Sequence, residues 1–274
     1  MALTVRTNIA SMMASGQLNR TSKNLTATLG RVSSGFRINS AADDAAGLGV
    51  ATNLETTTIS QRQGIRNAND GISIIQTAES ATNEVTDILQ RMRELAIQSS
   101  SETLDNDERA YIEDEFDQLQ EEMARIASVT EFNGISLTDS TTTQLDVQVG
   151  VYDATSSRIT IQLGDLQTSS LGIDALSLGT VTQAQAAIDA IDAALGTVNS
   201  VRSQLGAVQN RIESAISNAT IYVEALSGAE SQIRDADFAT ETADLTKFQI
   251  MQQAGVAALA QAKNINQSVI SLLN

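Results

Sequence analysis

Few side chains in this sequence could do chemistry, and the first to weigh is the adjacent pair Asp43-Asp44. Two neighbouring carboxylates could serve acid–base work or hold a metal ion. Consecutive residues on a helix do not face one another, however. The flanking Asn39-Ser40-Ala41-Ala42 and Ala45-Ala46-Gly47 read as a loop or a cap. Gly47-Leu48-Gly49-Val50-Ala51-Thr52 lacks the third glycine of a dinucleotide loop, and no strand pattern precedes it. Asp105-Asn106-Asp107 begins like a calcium loop, but Arg109 stands where a ligand is needed and no Gly or Glu follows at the required spacing.

What is missing is more informative. The 274 residues include no Cys, His, Pro or Trp. A Ser-His-Asp triad, a thiol nucleophile, an imidazole base and a zinc site of the usual N/S kind are all excluded. So is any disulfide. Seventeen Lys and Arg against 33 Asp and Glu leave a net charge of −16, the wrong sign for gripping phosphates. We therefore expect no enzyme, no cofactor, no metal and no nucleic-acid partner.

The elements account for more of the chain than any site does. Leu18, Leu25, Leu29, Val32 and Phe36 recur at coiled-coil spacing, and the pattern breaks at Gly35 and the Asn39–Asp44 run. A second helical stretch covers about 51–100, with Ile65, Ala68, Ile72 and Ile75, then Val85, Ile88, Met92 and Leu95; the register slips between Ile75 and Val85, as at a stammer. A third helix opens at Asp105, where Glu108 three residues on makes a capping-box pattern. Its seam is Ile112, Phe116, Leu119, Met123 and Ile126, a strict heptad.

Near the middle the period changes. Leu145–Val149 and Arg158–Leu163 alternate apolar and polar residues around the turn-rich 150–157, which predicts a β-hairpin. Heptads resume with Ile188, Ile191, Leu195, Val198, Val201, Leu205, Val208 and Ile212, interrupted in spacing only at Val198 to Val201. The last stripe is Phe248, Met251, Gly255, Ala258, Ala262, Ile265, Val269 and Leu272, in which small residues would let helices approach closely. The fold class is mainly α: a long antiparallel coiled-coil-like bundle formed by the N- and C-terminal halves, with a small central β-hairpin region.

Both chain ends are then amphipathic helices with little to bury them in a single copy. Residues 1–50 carry a charge of +3, whereas 51–130 carry −10 and 131–274 carry −9. Such blocks are ordinarily solvated faces; the sharper expectation is that the basic N-terminal region meets acidic surface on another copy. Residues 1–13 show no apolar core of a signal peptide, and no stretch reaches the length of a membrane span.

At both ends the residues resemble bacterial flagellin. Ser33-Ser34-Gly35-Phe36-Arg37-Ile38-Asn39-Ser40-Ala41-Ala42-Asp43-Asp44-Ala45-Ala46-Gly47-Leu48 is similar to that family's N-terminal signature. Gln90-Arg91-Met92-Arg93-Glu94-Leu95-Ala96-Ile97-Gln98-Ser99 and Glu131-Phe132-Asn133-Gly134 match further blocks. Arg234-Asp235-Ala236-Asp237-Phe238-Ala239-Thr240-Glu241, Gln249-Ile250-Met251-Gln252-Gln253-Ala254-Gly255 and Ser268-Val269-Ile270-Ser271-Leu272-Leu273 match at the other end. The resemblance covers about 1–165 and 181–274, without an outer variable domain.

The resemblance implies a structural subunit that polymerises by coiled-coil packing of its terminal helices into the filament used for swimming. By analogy, 1–40 is an inner-tube helix, 41–52 a linker, 53–180 the outer-layer helices and hairpin, 181–229 the C-terminal outer-layer helix, and 230–274 the C-terminal inner-tube helix. Polymerisation would rest on Leu18, Leu25, Leu29, Val32, Phe36, Phe248, Met251, Ala258, Ile265, Val269 and Leu272. Arg37, Asn39 and Asp43 would make polar contacts between subunits.

The same resemblance implies secretion through a type III channel without a cleaved signal peptide, an export chaperone on 230–274, and hook-associated junction and cap proteins as partners. Arg91, Leu95 and Gln98 would meet a host toll-like receptor. The Ser/Thr clusters flanking the hairpin make Thr141, Thr142 and Ser156 candidates for O-glycosylation. Two other readings share features with this one: a hook–filament junction protein, and a cytoplasmic coiled-coil adaptor. The adaptor explains the heptads but not the hairpin or the paired terminal stripes.

Overall fold

A computed structural model describes residues 7–271 of the chain, with side chains for 7–264. The order is α1 (Ile9–Ser34), α2 (Ala45–Ser99), α3 (Asn106–Val129), β1 (Glu131–Phe132), β2 (Ile135–Ser136), β3 (Gln144–Gln148), β4 (Arg158–Gln162), α4 (Val181–Arg234) and α5 (Phe238–Ser271). The chain divides into two compact units, one made of Met1–Thr56 with Ala225–Asn274 and the other of Thr57–Glu224. α2 and α4 contribute to both. α2 starts within the 41–52 segment expected to be linker, and α4 continues past 229 into the segment expected to be inner helix.

The central unit is a pair of antiparallel helices with a third layer laid on it. Ion pairing of Arg93 on α2 with Asp192 on α4, at 2.6 Å, marks their alignment. Along one stretch α3 covers the pair, and Phe116, Met123 and Ile112 pack with Val85, Leu89, Met92 and Leu95 of α2 and Ala187, Ile191 and Val198 of α4. Leu166, Leu171, Ile173 and Leu178, from the irregular segment before α4, complete this cluster. Along the other stretch the β3–β4 hairpin replaces α3. Its inward Val147, Ile159 and Ile161 join Ala68 and Ile75 of α2 and Leu205 and Ile212 of α4.

Local chemistry sets the ends of these elements. Asp105 accepts a hydrogen bond from the Glu108 backbone N–H at 2.8 Å, and the Glu108 carboxylate accepts from the Asp105 N–H at 3.2 Å, the capping box expected from the sequence. Arg109, buried, donates to the carbonyls of Ser99, Ser101 and Leu104 and so satisfies acceptors where α2 ends. β3 and β4 pair antiparallel from Gln144↔Gln162 to Gln148↔Arg158, where alternation placed the hairpin. A second, two-residue hairpin forms at Glu131–Ser136, turned by Asn133 and Gly134 with φ of 52° and 77°.

The seams differ from the sequence expectation in one way. α2 has no stammer: Ala68, Gly71, Ile75, Ala78, Thr82, Val85, Leu89, Met92, Ala96 and Ser99 are all buried and alternate steps of 3 and 4 without a break. The apparent slip arose because Ala78 and Thr82 are small or polar and carry no hydrophobic signal. In α4 the unbroken seam is Ala184, Ala187, Ile191, Ala194, Val198, Val201, Leu205, Val208 and Ile212, while Ile188 and Leu195 sit half-buried beside it. Alanine in the seam draws the helices together, and the larger neighbours fill the flanks.

Close approach also explains how the hairpin reaches α2. A Cβ on Gly64 would stand 2.5 Å from the Val149 carbonyl oxygen, and one on Gly71 would stand 3.1 Å from Val147. Gln61 and Asn67, on the same face, donate to the carbonyls of Val149 and Gln148. Gly206, on α4, has open space where its Cβ would be. Glycine-to-alanine changes in a helix interior ordinarily gain about 1 kcal/mol. Urea unfolding should therefore show Gly206→Ala raising stability toward that value and Gly64→Ala lowering it. The opposite order would be incompatible with the hairpin lying against α2.

Candidate assembly surface

The terminal unit is built on α1 and α5, which run antiparallel. Asn8 at the start of α1 caps its own helix through the Ser11 N–H and also donates to the Ala262 carbonyl at 2.9 Å. Near the other end Arg31 pairs with Glu241 at 3.0 Å, both partly buried. Gly35 ends α1 in the left-handed conformation, with φ of 77° and its N–H bonded to the Arg31 carbonyl.

The contact between these helices is narrow. Its α1 side is Leu18, Thr21, Leu25, Thr28 and Val32, with the two threonines fully covered. Its α5 side is Glu241, Leu245, Phe248, Gln252, Gly255, Leu259 and Ala262. A Cβ on Gly255 would meet the Leu18 side chain at 3.2 Å, and Cα atoms of the two helices approach within 8 Å. Small and polar residues thus allow a close approach but bury little apolar area. The pair runs from Arg31 Nε to Glu241 Oε1, and Glu241 Oε2 is buried without a hydrogen-bond partner.

Many apolar side chains remain outside this contact. Ile9, Met12, Met13, Leu29, Phe238, Ile250 and Val256 are exposed, Met13 by 72% and Leu29 by 54%. Of the residues expected to drive polymerisation, Leu18, Leu25, Val32, Phe36 and Phe248 are half-buried within the chain. Leu29, Met251 and Ala258 face away and are exposed. The side chains of Ile265 and Val269, and the whole of Leu272, lie outside the described residues. The α5 stripe expected from the sequence therefore splits: Phe248, Gly255 and Ala262 belong to the internal contact, which continues through Gln252 and Leu259 rather than Met251 and Ala258.

A second feature joins the two chain segments beside the helix ends. Phe36 and Asp235 form an antiparallel bridge, with the Arg37 N–H on the Arg234 carbonyl at 2.6 Å and the Ala236 N–H on the Gly35 carbonyl at 2.9 Å. The Arg37 guanidinium donates to the carbonyls of Ile233 at 2.7 Å and Gln232 at 3.4 Å, neutralising the end of α4. Arg234 stacks over the Phe36 ring at 4.1 Å and pairs with Glu55 and Glu230. Sequence reasoning missed Arg31, Glu241 and Arg234; charges placed where helices meet were the only signal available.

The Asp43-Asp44 pair is spent on backbone. Asp43 accepts from the Ser40 hydroxyl and N–H, both at 3.0 Å, and from the Asn39 N–H; Asp44 accepts from the Gly47 N–H at the start of α2. Of the residues expected to bridge subunits, Arg37 and Asp43 thus have side-chain bonds within the chain, and Asn39 contributes its backbone N–H to Asp43. Elsewhere, Leu95 is 2% exposed and packed in the core, so it does not share an accessible face with exposed Arg91 and Gln98. Arg91 is held by Glu94 at 2.9 Å and Glu115 at 2.7 Å. Thr141 donates its hydroxyl to Asp139, Thr142 is half-buried, and Ser156 is exposed in the hairpin turn.

Two capping carboxylates have lowered pKa values. The Ser40 hydroxyl, then the backbone N–H groups, hold Asp43 below the usual aspartate value; the Thr240 hydroxyl, then the Ala239 N–H, do the same for Asp237 at the start of α5. Groups whose pKa falls on folding stabilise the fold fully above the unfolded value, near pH 4, and that contribution fades as pH falls through the folded value. Carboxyl-carbon NMR should show both titrating below ordinary aspartate, with loss of terminal-unit order following at the same acidic end. Midpoints at or above about 4 would refute the capping account.

Comparison with known proteins gives a consistent set of likenesses. Residues 5–143 match the bacterial flagellin N-terminal helical region and 188–273 the bacterial flagellin C-terminal helical region. The chain is 45% identical to a flagellin of Halalkalibacterium halodurans over 89% of both chains. It is 37% identical to the flagellar filament 33 kDa core protein of Treponema phagedenis, covering 97% of this chain and 98% of that one. Among solved structures it is similar to Bacillus cereus flagellin, with a TM-score of 0.50 and 30% identity over 56% of this chain and 88% of the other.

Proposed function

Because the chain belongs to the bacterial flagellin family, and is therefore a structural subunit of the extracellular, homopolymeric flagellar filament, we propose that assembly is driven by the apolar side chains of α1 and α5 left outside their mutual contact. The observation that carries this is the exposure of Leu29, Met251, Ile250 and Val256 on helices that already have one partner. Each is a side chain whose burial removes apolar area from water, worth roughly 1.5–3 kcal/mol when complete. An assembly in which one copy's exposed stripe meets a different stripe on the next does not close on itself, and so grows as a helical polymer. Leu18, Leu25, Val32 and Phe248 support assembly indirectly, by holding α1 and α5 in register, and Phe36 does so through its bridge to Asp235; Ala258 allows close approach on the outer face. Ile265, Val269 and Leu272 extend the same spacing.

Finer partners are proposed on the strength of the family likeness. Export is through the flagellar type III apparatus with the chain unfolded, a route favoured by the absence of disulfides. The 230–274 segment takes an export chaperone, and hook-associated junction and cap proteins bound the polymer. Arg91 and Gln98 are the accessible contacts for a toll-like receptor, with Leu95 supporting them from the core. Thr141, Thr142 and Ser156 are the O-glycosylation positions.

Pelleting and negative-stain microscopy of the full chain, beside one lacking 1–40 and 235–274, should give long filaments from the full chain alone. The Leu29→Glu and Met251→Glu variants should keep the helix content and unfolding midpoint of the parent. Each should raise the critical concentration for assembly by about tenfold, the loss of one such burial. Unchanged assembly by both would remove these faces from the mechanism.

A further inference from the structure

The methionines divide sharply by position. Of the six in the sequence, Met92 and Met123 are fully buried in the central unit. Met12, Met13 and Met251 are exposed, by 66%, 72% and 38%, and all three lie on α1 and α5. Ile9, Met12 and Met13, at i, i+3 and i+4, share one face of α1. Met251 sits beside exposed Ile250 on α5. No side chain of the internal α1–α5 contact is a methionine. The three sulfurs on α1 and α5 thus lie outside the cores of the chain, Met12 and Met13 largely open and Met251 partly so.

We propose that Met12, Met13 and Met251 are three separate oxidation positions that gate assembly: open to peroxide in the free subunit, closed in the filament, and incompatible with incorporation once oxidised. The oxidant is a hydroperoxide such as hydrogen peroxide. The thioether sulfur attacks one peroxide oxygen, the O–O bond breaks, an S=O bond forms, and the second oxygen leaves as water with both protons. Sulfur loses two electrons and the peroxide gains them. The product replaces a flexible apolar side chain by a polar, chiral one, which costs the interface its apolar burial. Internal folding is spared, because none of the three sulfurs is in a core. This inference rests on the reading that α1 and α5 carry the assembly surface.

The test uses the full chain. Monomer and preformed filament are exposed to the same hydrogen peroxide, and peptides are weighed by mass spectrometry. In the monomer, those bearing Met12, Met13 and Met251 should gain one oxygen while those bearing Met92 and Met123 do not; in the filament all should be protected. Oxidised monomer should keep its helical signal yet require about tenfold more protein to polymerise. Treatment with the two methionine sulfoxide reductases should restore assembly, and M12L/M13L/M251L should assemble regardless of peroxide. If untreated chain assembles and oxidised chain does so at the same concentration, the gate is refuted and the assembly reading stands. If untreated chain forms no filament, the assembly reading falls and the gate with it. Peroxide inhibition that persists in the leucine variant would place the effect elsewhere and overturn the proposal.

Discussion

Two helices lying side by side can cover only one stripe on each other, and the rest of this protein follows from that limit. In the central unit the α2–α4 pair is completed by a third layer, α3 along one stretch and the β3–β4 hairpin along the other. Large side chains such as Phe116, Met123 and Ile161 are then fully buried. In the terminal unit α1 and α5 have no third layer of their own among the described residues. Their contact sets threonines, glycine, alanine and an ion pair among half-buried leucines, Val32 and Phe248. What the pair leaves exposed is what a filament subunit has to offer its neighbours.

Narrow seams need register, and polar groups supply it. Buried ion pairs add little net stability against apolar replacements but penalise misalignment, because a shifted charge is left alone. Arg31 with Glu241 fixes the α1–α5 alignment at one end, and Asn8 on the Ala262 carbonyl does so at the other. The Phe36–Asp235 bridge, with Arg37 on the α4 carbonyls and Arg234 over Phe36, ties the two chain segments where α1 and α4 end. An apolar contact alone would tolerate sliding by a heptad. These groups would not.

Much of the architecture was legible because its signals are local. The Asp105–Glu108 capping box, the Gly35 terminator and the hairpin alternation each depend on residues within a few positions of one another. The seams were harder to read. In α2 the buried Ala78 and Thr82 look like a gap; in α4 Ile188 and Leu195 outweigh Ala187 and Ala194; in α5 Met251 outweighs Gln252 and carries the stripe one position off, onto Ala258 instead of Leu259. In α4 and α5 the error is one residue. It has one cause: hydrophobicity reports what a position would prefer, whereas a close-packed seam selects what fits.

The sequence by itself determined which segments are helical, that a hairpin interrupts them, and that His and Cys chemistry is unavailable. It also carried the family signatures at both ends. Only the tertiary structure decided which face of each helix is spent within the chain. It placed Leu95 inside and Arg91 outside, turned Arg37 toward the α4 carbonyls and Asp43 toward the Ser40 turn, and left Leu29 and Met251 uncovered. The physical reason is that periodicity marks a helix as having an apolar side without naming what covers it. That choice depends on distances between elements far apart in the chain, which small residues such as Gly64 and Gly255 set.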